Sequence, residues 1–394
     1  MNSPARKALA ALFYIFGFGI IAWIPRLPEI KINLHLSNGQ FGTILSIGAI
    51  GSIISLLTTG HLVHRFGARK ALIVSATLLF GSIALLGHLT SVWQFVFVNI
   101  AFGAGISAFN ISVNSQAFHE QESDRTILVP RMHGAWSAGA LSTVIISGFL
   151  AGRVPLSLHL DVIAAAGYVA VLTIVQKFRD SFLPGSTDSG SGSPIKSLFT
   201  SFRVNWVILL GLAGATGLEG STGDWITIFV KQELHMGVGI STLPYIFFVV
   251  AMIAGRLSVH RLVKYVPLHR LVRIFPVVGG VSFIIAINLG HFLGRAHPMV
   301  GFPIVVFGTF IAGLGLSFLA PTFVDASNRL SAAPGGIVLG QLSLANTLVI
   351  FLLKSNVAWV AQIASISIAL IIPSLLLISV GLTSKTIAKA HAHA

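Results

Sequence analysis

Glu219 is the acidic residue placed deepest in an apolar stretch of this chain. Counted from Arg203 along a helix, it lies about 24 Å in. If the stretch crosses a bilayer, an ionised carboxylate there costs about 2.5 kcal/mol or more and is kept where it faces a partner or a cavity. Its chemistry would be proton uptake and release, or acceptance of a hydrogen bond from a bound solute. The plainer alternative is a neutral packing residue. Asp224 lies five residues further, nearer the end of the stretch, and reads equally as a site acid or a solvated helix-end acid. Trp225 suits an interfacial aromatic or a platform for a sugar ring. Asn110 and Asn114 are one turn apart, and Ser107 precedes Asn110 by three residues, so the three share a helix face. Such a face suits a hydroxyl-rich or zwitterionic ligand, or hydrogen bonds between helices. His133, beside Arg131, suits a gate, a proton relay or a simple interfacial position.

Other chemistries lack their residues. There is no Gly-x-x-x-x-Gly-Lys-Ser/Thr loop to cradle phosphates, no His-Glu-x-x-His helix and no Gly-x-Ser-x-Gly elbow. The sequence has no cysteine, which removes disulfides and thiolate metal sites. No enzyme activity, cofactor or metal is expected.

The elements that must position these residues are apolar runs, each long enough as a helix to match a hydrocarbon layer of about 30 Å. They cover 8–24, 41–59, 71–87, 93–118, 133–150, 162–175, 204–230, 240–257, 271–289, 299–320, 337–353 and 357–380. With 54% hydrophobic and only 9% charged residues, the 394-residue chain has too little polar surface for a soluble globule. The expected class is an all-α membrane protein of about twelve transmembrane helices. A net charge of +14 suggests nucleic acid until the charges are placed. With a cytoplasmic N-terminus and alternating helices, 19 of the 25 Lys and Arg fall inside. Only Arg26, Lys31, Arg153, Lys231, Arg295 and Lys354 are then assigned outside, as the positive-inside rule requires. Both termini are therefore expected in the cytoplasm, with lipid and not nucleic acid as the partner. Pro25-Arg26-Leu27-Pro28 after the first run offers no small-residue cleavage site, so a removed signal peptide is not expected.

One Gly/Ser-rich polar stretch interrupts the pattern, and it predicts a flexible linker at 179–197 between a bundle at 1–178 and another at 198–394. The halves echo each other. Gly60-x-x-x-His64-Arg65-x-Gly67-x-Arg69-Lys70 ends the second run, and Gly255-Arg256 with His260-Arg261 ends the eighth. The first of these resembles the loop 2–3 signature of the major facilitator superfamily, usually Gly-x-x-x-Asp-Arg-x-Gly-Arg-Arg. Here His64 replaces the usual Asp, so a permanent negative charge gives way to an imidazole whose charge is conditional. Four further segments resemble the fucose-permease-like group of bacterial transporters. They are Trp23-Ile-Pro25-Arg26-Leu-Pro28, Asn110-Ile-Ser-Val-Asn114, Arg131-Met-His133-Gly134-Ala-Trp136-Ser137-Ala-Gly139 and Glu219-Gly220-Ser-Thr-Gly-Asp224-Trp225.

The resemblance implies two pseudo-symmetric six-helix bundles and alternating access to a solute site near the midplane. It implies a monomeric secondary transporter of a bacterial inner membrane that moves a small polar solute, a sugar or related metabolite, coupled to protons. Export of metabolites or toxic compounds is the rival reading, and a non-transporting sensor or scaffold is the rival from another class. Glu219, Asp224, Trp225, Asn110, Asn114, His133 and Trp23 are the candidate solute and coupling residues. Gly60, His64, Arg65, Gly67, Arg69, Arg131, His260 and Arg261 are the candidate gate.

Overall fold

Long runs of Leu, Ala, Ile and Phe in lipid leave the backbone no hydrogen-bond partner but itself, and helices follow. The computed structural model describes residues 4–124, 128–186, 203–237, 239–331 and 335–392, with α-helices, short 3₁₀ turns and no strands among them. In chain order the helices are α1 (Pro4–Ile21), α2 (Leu27–Asn33), α3 (Asn38–Leu86), α4 (Val92–Asp124), α5 (Val129–Leu150), α6 (Leu156–Lys177), α7 (Trp206–Gln232) and α8 (Leu243–Leu262). There follow α9 (Leu268–Gly294), α10 (Pro298–Leu316), α11 (Leu319–Arg329), α12 (Gly335–Ile363), α13 (Ile366–Ala369), α14 (Ile371–Ser379) and α15 (Ser384–Ala392).

Nine segments of the described residues are long and apolar enough to cross a membrane. One of them is α3, whose 49 residues would reach about 74 Å, more than twice a hydrocarbon core. It is two spans divided at Gly67, where φ 83° and ψ 158° break the helix. α5 and α7 fall outside the nine because polar side chains dilute them, His133 and several hydroxyls in one, Glu219 and Asp224 in the other. Counting these, and taking α10 with α11 and α13 with α14 and α15, the helices match the twelve expected runs.

The chain divides into two units, Met1–His35 with Ile47–Phe199, and Leu36–Ser46 with Thr200–Ala394. The first turns of α3, expected with the first bundle, group with the second unit for a visible reason. Asn38 Nδ2 donates to Ala361 O at 3.2 Å, and Gly39 N donates to Gln362 Oε1 at 3.2 Å.

In unit 1, α1 lies directly on α5. The space that a Cβ of Gly17 would fill is taken by the Trp136 carbonyl, and that of Gly139 by the Tyr14 carbonyl, so the two backbones touch. Phe16 stacks on Phe109 of α4 at 5.0 Å between ring centres. After α6 the chain forms a 3₁₀ turn, Arg179–Ser181, and then lies against the unit. Gln116 donates to Ser181 O at 2.9 Å and accepts from Leu183 N at 2.7 Å. Ala68 N donates to Leu183 O at 3.0 Å, and Ser186 N donates to His64 O at 2.8 Å. Phe182 and Leu183 pack on Val63, Ala68 and Ala71. The opening residues of the expected linker thus form a strap, and 187–197 lie outside the described residues.

In unit 2, α7 packs against α8, α11, α12 and α14 and is buried along most of its length. Its start is fixed by Asn205, whose side-chain oxygen accepts from Val207 N at 3.0 Å and Ile208 N at 3.2 Å. Those are two of the donors a helix start leaves unpaired.

Candidate functional site in the membrane-embedded helices

Glu219 stands near the midpoint of the 27-residue α7. No donor among the described residues hydrogen-bonds its carboxylate, but the guanidinium of Arg256 on α8 acts on it electrostatically. Arg256 is itself held by a 3.0 Å bond from Nε to Ser317 O. One turn earlier on α7, Thr216 Oγ1 donates to Asn346 Oδ1 of α12 at 3.3 Å. Asp224 is not a solvated helix-end acid. Its Oδ2 lies 2.8 Å from Nζ of Lys354 on α12, and the two side chains are 13% and 24% exposed. Buried Tyr245 of α8 feels both carboxylates. Three helices thus bring two acids, two cations and a phenol into one cluster.

Trp225 belongs to the packing of that cluster. It is 1% exposed and meets Phe41 edge to face at 6.3 Å, which leaves it neither at an interface nor with an open face.

Unit 1 carries the uncharged candidates. Asn114 Nδ2 donates to both Asn110 Oδ1 (2.5 Å) and Asn110 O (2.9 Å), so the pair forms one exposed polar ledge on α4. His133 is exposed on α5, edge to face with Phe13 of α1 at 5.4 Å. Trp23 is buried, edge to face with Phe102 at 5.1 Å. A cavity of about 550 Å³ between α1, α3, α5 and α6 is lined by Tyr14, Phe18, Phe80, Leu150 and other apolar side chains. Its one titratable nitrogen group, His159, is already engaged by Arg26, so this cavity is not where the chemistry lies.

A sequence profile described as Major Facilitator Superfamily matches residues 8–353. The chain belongs to the major facilitator superfamily. An uncharacterised MFS-type transporter of Yersinia pestis is 23% identical over 96% of this chain and 94% of its own. Multidrug resistance protein 1 of Bacillus subtilis is 26% identical over 85% of this chain and 84% of its own. Among solved structures, a D-xylose-proton symporter superposes with a TM-score of 0.69 at 17% identity, covering 96% of each chain. This is therefore a multi-pass membrane transporter that moves small-molecule solutes, and not an enzyme.

His64 and Arg65 are exposed at the turn, and Gly67 supplies the positive φ that a side chain would strain. A Cβ on Gly67 would also meet Leu183 O and Gly185 N of the strap, each at 2.9 Å. Arg69 Nη2 donates to Gln176 Oε1 of α6 at 2.6 Å. Gly60 differs from expectation, because among the described residues nothing beyond its chain neighbours and its own helix backbone lies within 4 Å of its Cβ position. Close helix packing is not what a glycine does at this position. Its counterpart Gly255 does pack closely, on Ser317. His260 and Arg261 are exposed in the last turn of α8, and Arg131 is exposed in the first turn of α5.

Sequence reasoning missed Lys354, Arg256 and Tyr245. It placed Arg26, Lys31 and Lys354 on the outer side of the membrane, and the structure adds that none of the three lies open to solvent. Arg26 is 0% exposed, Lys31 is buried, and Lys354 is partly buried in its ion pair. Of these residues Arg256 alone carried a signal in the sequence, as a cation inside the apolar run 240–257.

Proposed function

We propose that this protein is a proton-coupled secondary transporter of a small polar solute, a sugar or related metabolite, with Glu219 as its coupling carboxylate. The observation that carries the reading is the contrast on α7. Asp224 has a cation at 2.8 Å, while Glu219, at mid-helix, has no hydrogen-bond donor among the described residues. An acid in that position is relieved of its charge by binding a proton, and can give the proton up when Arg256 or the solute compensates it. Asp224 in one unit and the Asn110–Asn114 pair in the other are candidate polar groups for the solute, with His133 a further candidate; Trp23 and Trp225, both buried, act through packing. His64, Arg65, Gly67, Arg69, Arg131, His260 and Arg261 serve the gate, and Gly60 leaves space beside it. The protein works as a monomer in a bacterial inner membrane, with both termini cytoplasmic. The similarity to Multidrug resistance protein 1 of Bacillus subtilis supports a second reading, export of a metabolite or toxic compound, which uses the same acid.

The solute is found by thermal shift against a panel of sugars and related metabolites, since a ligand favouring the folded state raises its melting temperature. Uptake of that solute into proteoliposomes then tests the acid. Glu219→Gln keeps the shape but fixes the neutral form, so accumulation driven by a pH gradient is lost while solute exchange without a gradient survives. Undiminished gradient-driven accumulation by this variant removes Glu219 from the mechanism.

A further inference from the structure

We propose that Lys354 is a positioning residue for this site: it keeps Asp224 ionised throughout the transport cycle, leaving Glu219 as the site's one proton carrier. The role rests on the reading of Glu219 given above. The geometry separates the two acids of α7. Asp224 meets the Lys354 ammonium at 2.8 Å, with both side chains largely withdrawn from solvent. Glu219 meets no hydrogen-bond donor among the described residues. The other groups acting on the cluster are Arg256 and Tyr245, both on α8; Arg256 acts on Glu219, and the Tyr245 phenol feels both acids.

Two acids on one membrane helix present a coupling problem. If both could take protons, each transport event would carry an ill-defined number of them. A lysine placed against one acid removes it from the proton count without removing its polarity. The cost of burying the two charges together is met by their mutual attraction. Deletion of one partner leaves the other buried and uncompensated, a state a carboxylate escapes by taking up a proton. Lys354 therefore acts through Asp224, and its loss should create a second protonated acid.

Infrared spectroscopy tests this without a known solute, because the C=O stretch of a carboxylic acid is separate from the carboxylate bands. The purified protein in liposomes is titrated from alkaline to acidic pH as wild type, Glu219→Gln, Asp224→Asn, Lys354→Met and the Lys354→Met/Asp224→Asn double variant. Size-exclusion profiles and melting curves confirm that each is folded. Lys354→Met is expected to gain one carboxylic-acid band, comparable in area to that of Glu219, and the double variant to lose it again. Asp224→Asn alone is expected to leave the acid band of the wild type unchanged, a measurement that stands even if Lys354→Met fails to fold. A Lys354→Met spectrum with no added band, or loss of a wild-type band in Asp224→Asn, overturns the proposal. If instead Glu219→Gln leaves the wild-type band in place, the coupling assignment of Glu219 fails. The role of Lys354 towards Asp224 would still be read from the other variants.

Discussion

Arg26 shows how much a single buried charge organises in unit 1. It is fully buried and pairs with Glu29, with Nη2 donating to Oε2 at 2.8 Å. The same Nη2 reaches Val154 O at 2.8 Å, and Nη1 lies 3.1 Å from His159 Nδ1. Because arginine only donates, Nδ1 must accept. The imidazole proton is then on Nε2, aimed at Ser147 Oγ 3.3 Å away. One side chain thus ties the α1–α2 connection to the α5–α6 loop and to α6. Arg26→Met should cost on the order of 3 kcal/mol, because Glu29 is left partly buried without its counter-ion. Arg26→Lys should recover only part, lacking the fork that reaches several acceptors at once. Thermal or denaturant unfolding in detergent checks both, and equal melting of Arg26→Met and wild type would refute the role. Glu219 could be found from sequence because a carboxylate inside an apolar run is conspicuous. Arg26 and Lys354 could not, because a charge near the end of a run reads as wet. Only contacts with Val154 and Asp224, far away in sequence, show otherwise.

At the level of elements, the turn at Gly67 and the strap after α6 form one device. The composition of 179–197 announces a break between bundles, and the Gly/Ser content supports it. The strap within that stretch was invisible because Phe182 and Leu183 are only two apolar residues and establish no period. What orders them is Gln116, a polar side chain on α4 that bonds the strap on both sides of Phe182. Gln116→Leu removes both bonds, worth about 1.5 kcal/mol together at a modest net value each. Trypsin should then cut after exposed Arg179 roughly tenfold faster, because cleavage tracks the population of the opened segment. A cleavage rate like that of wild type would mean that the apolar contacts alone hold the strap. The break within α3 was legible in the Gly60–Lys70 signature between the second and third runs, and the backbone at Gly67 marks where one span ends.

For the whole molecule, hydrophobic run lengths revealed the class, because a bilayer constrains length more tightly than any motif constrains chemistry. The expected orientation rests on the asymmetry of Lys and Arg along the chain. Of the six cations expected outside, Arg26 and Lys31 are buried and Lys354 is paired. Single cysteines at Ser189 and Ser91 in this cysteine-free chain test it with an impermeant thiol reagent on intact cells. Ser91→Cys should label and Ser189→Cys should be protected; the reverse pattern would invert the topology. The Asp224–Lys354 pair also has a consequence for biosynthesis. Lys354 leaves the ribosome about 130 residues after Asp224, a delay of roughly 7 to 26 s at ordinary elongation rates. During that interval α7 must either wait beside the insertion machinery or enter lipid with its acid unescorted. On either route, the ion pair of the second half closes only once α12 has been made.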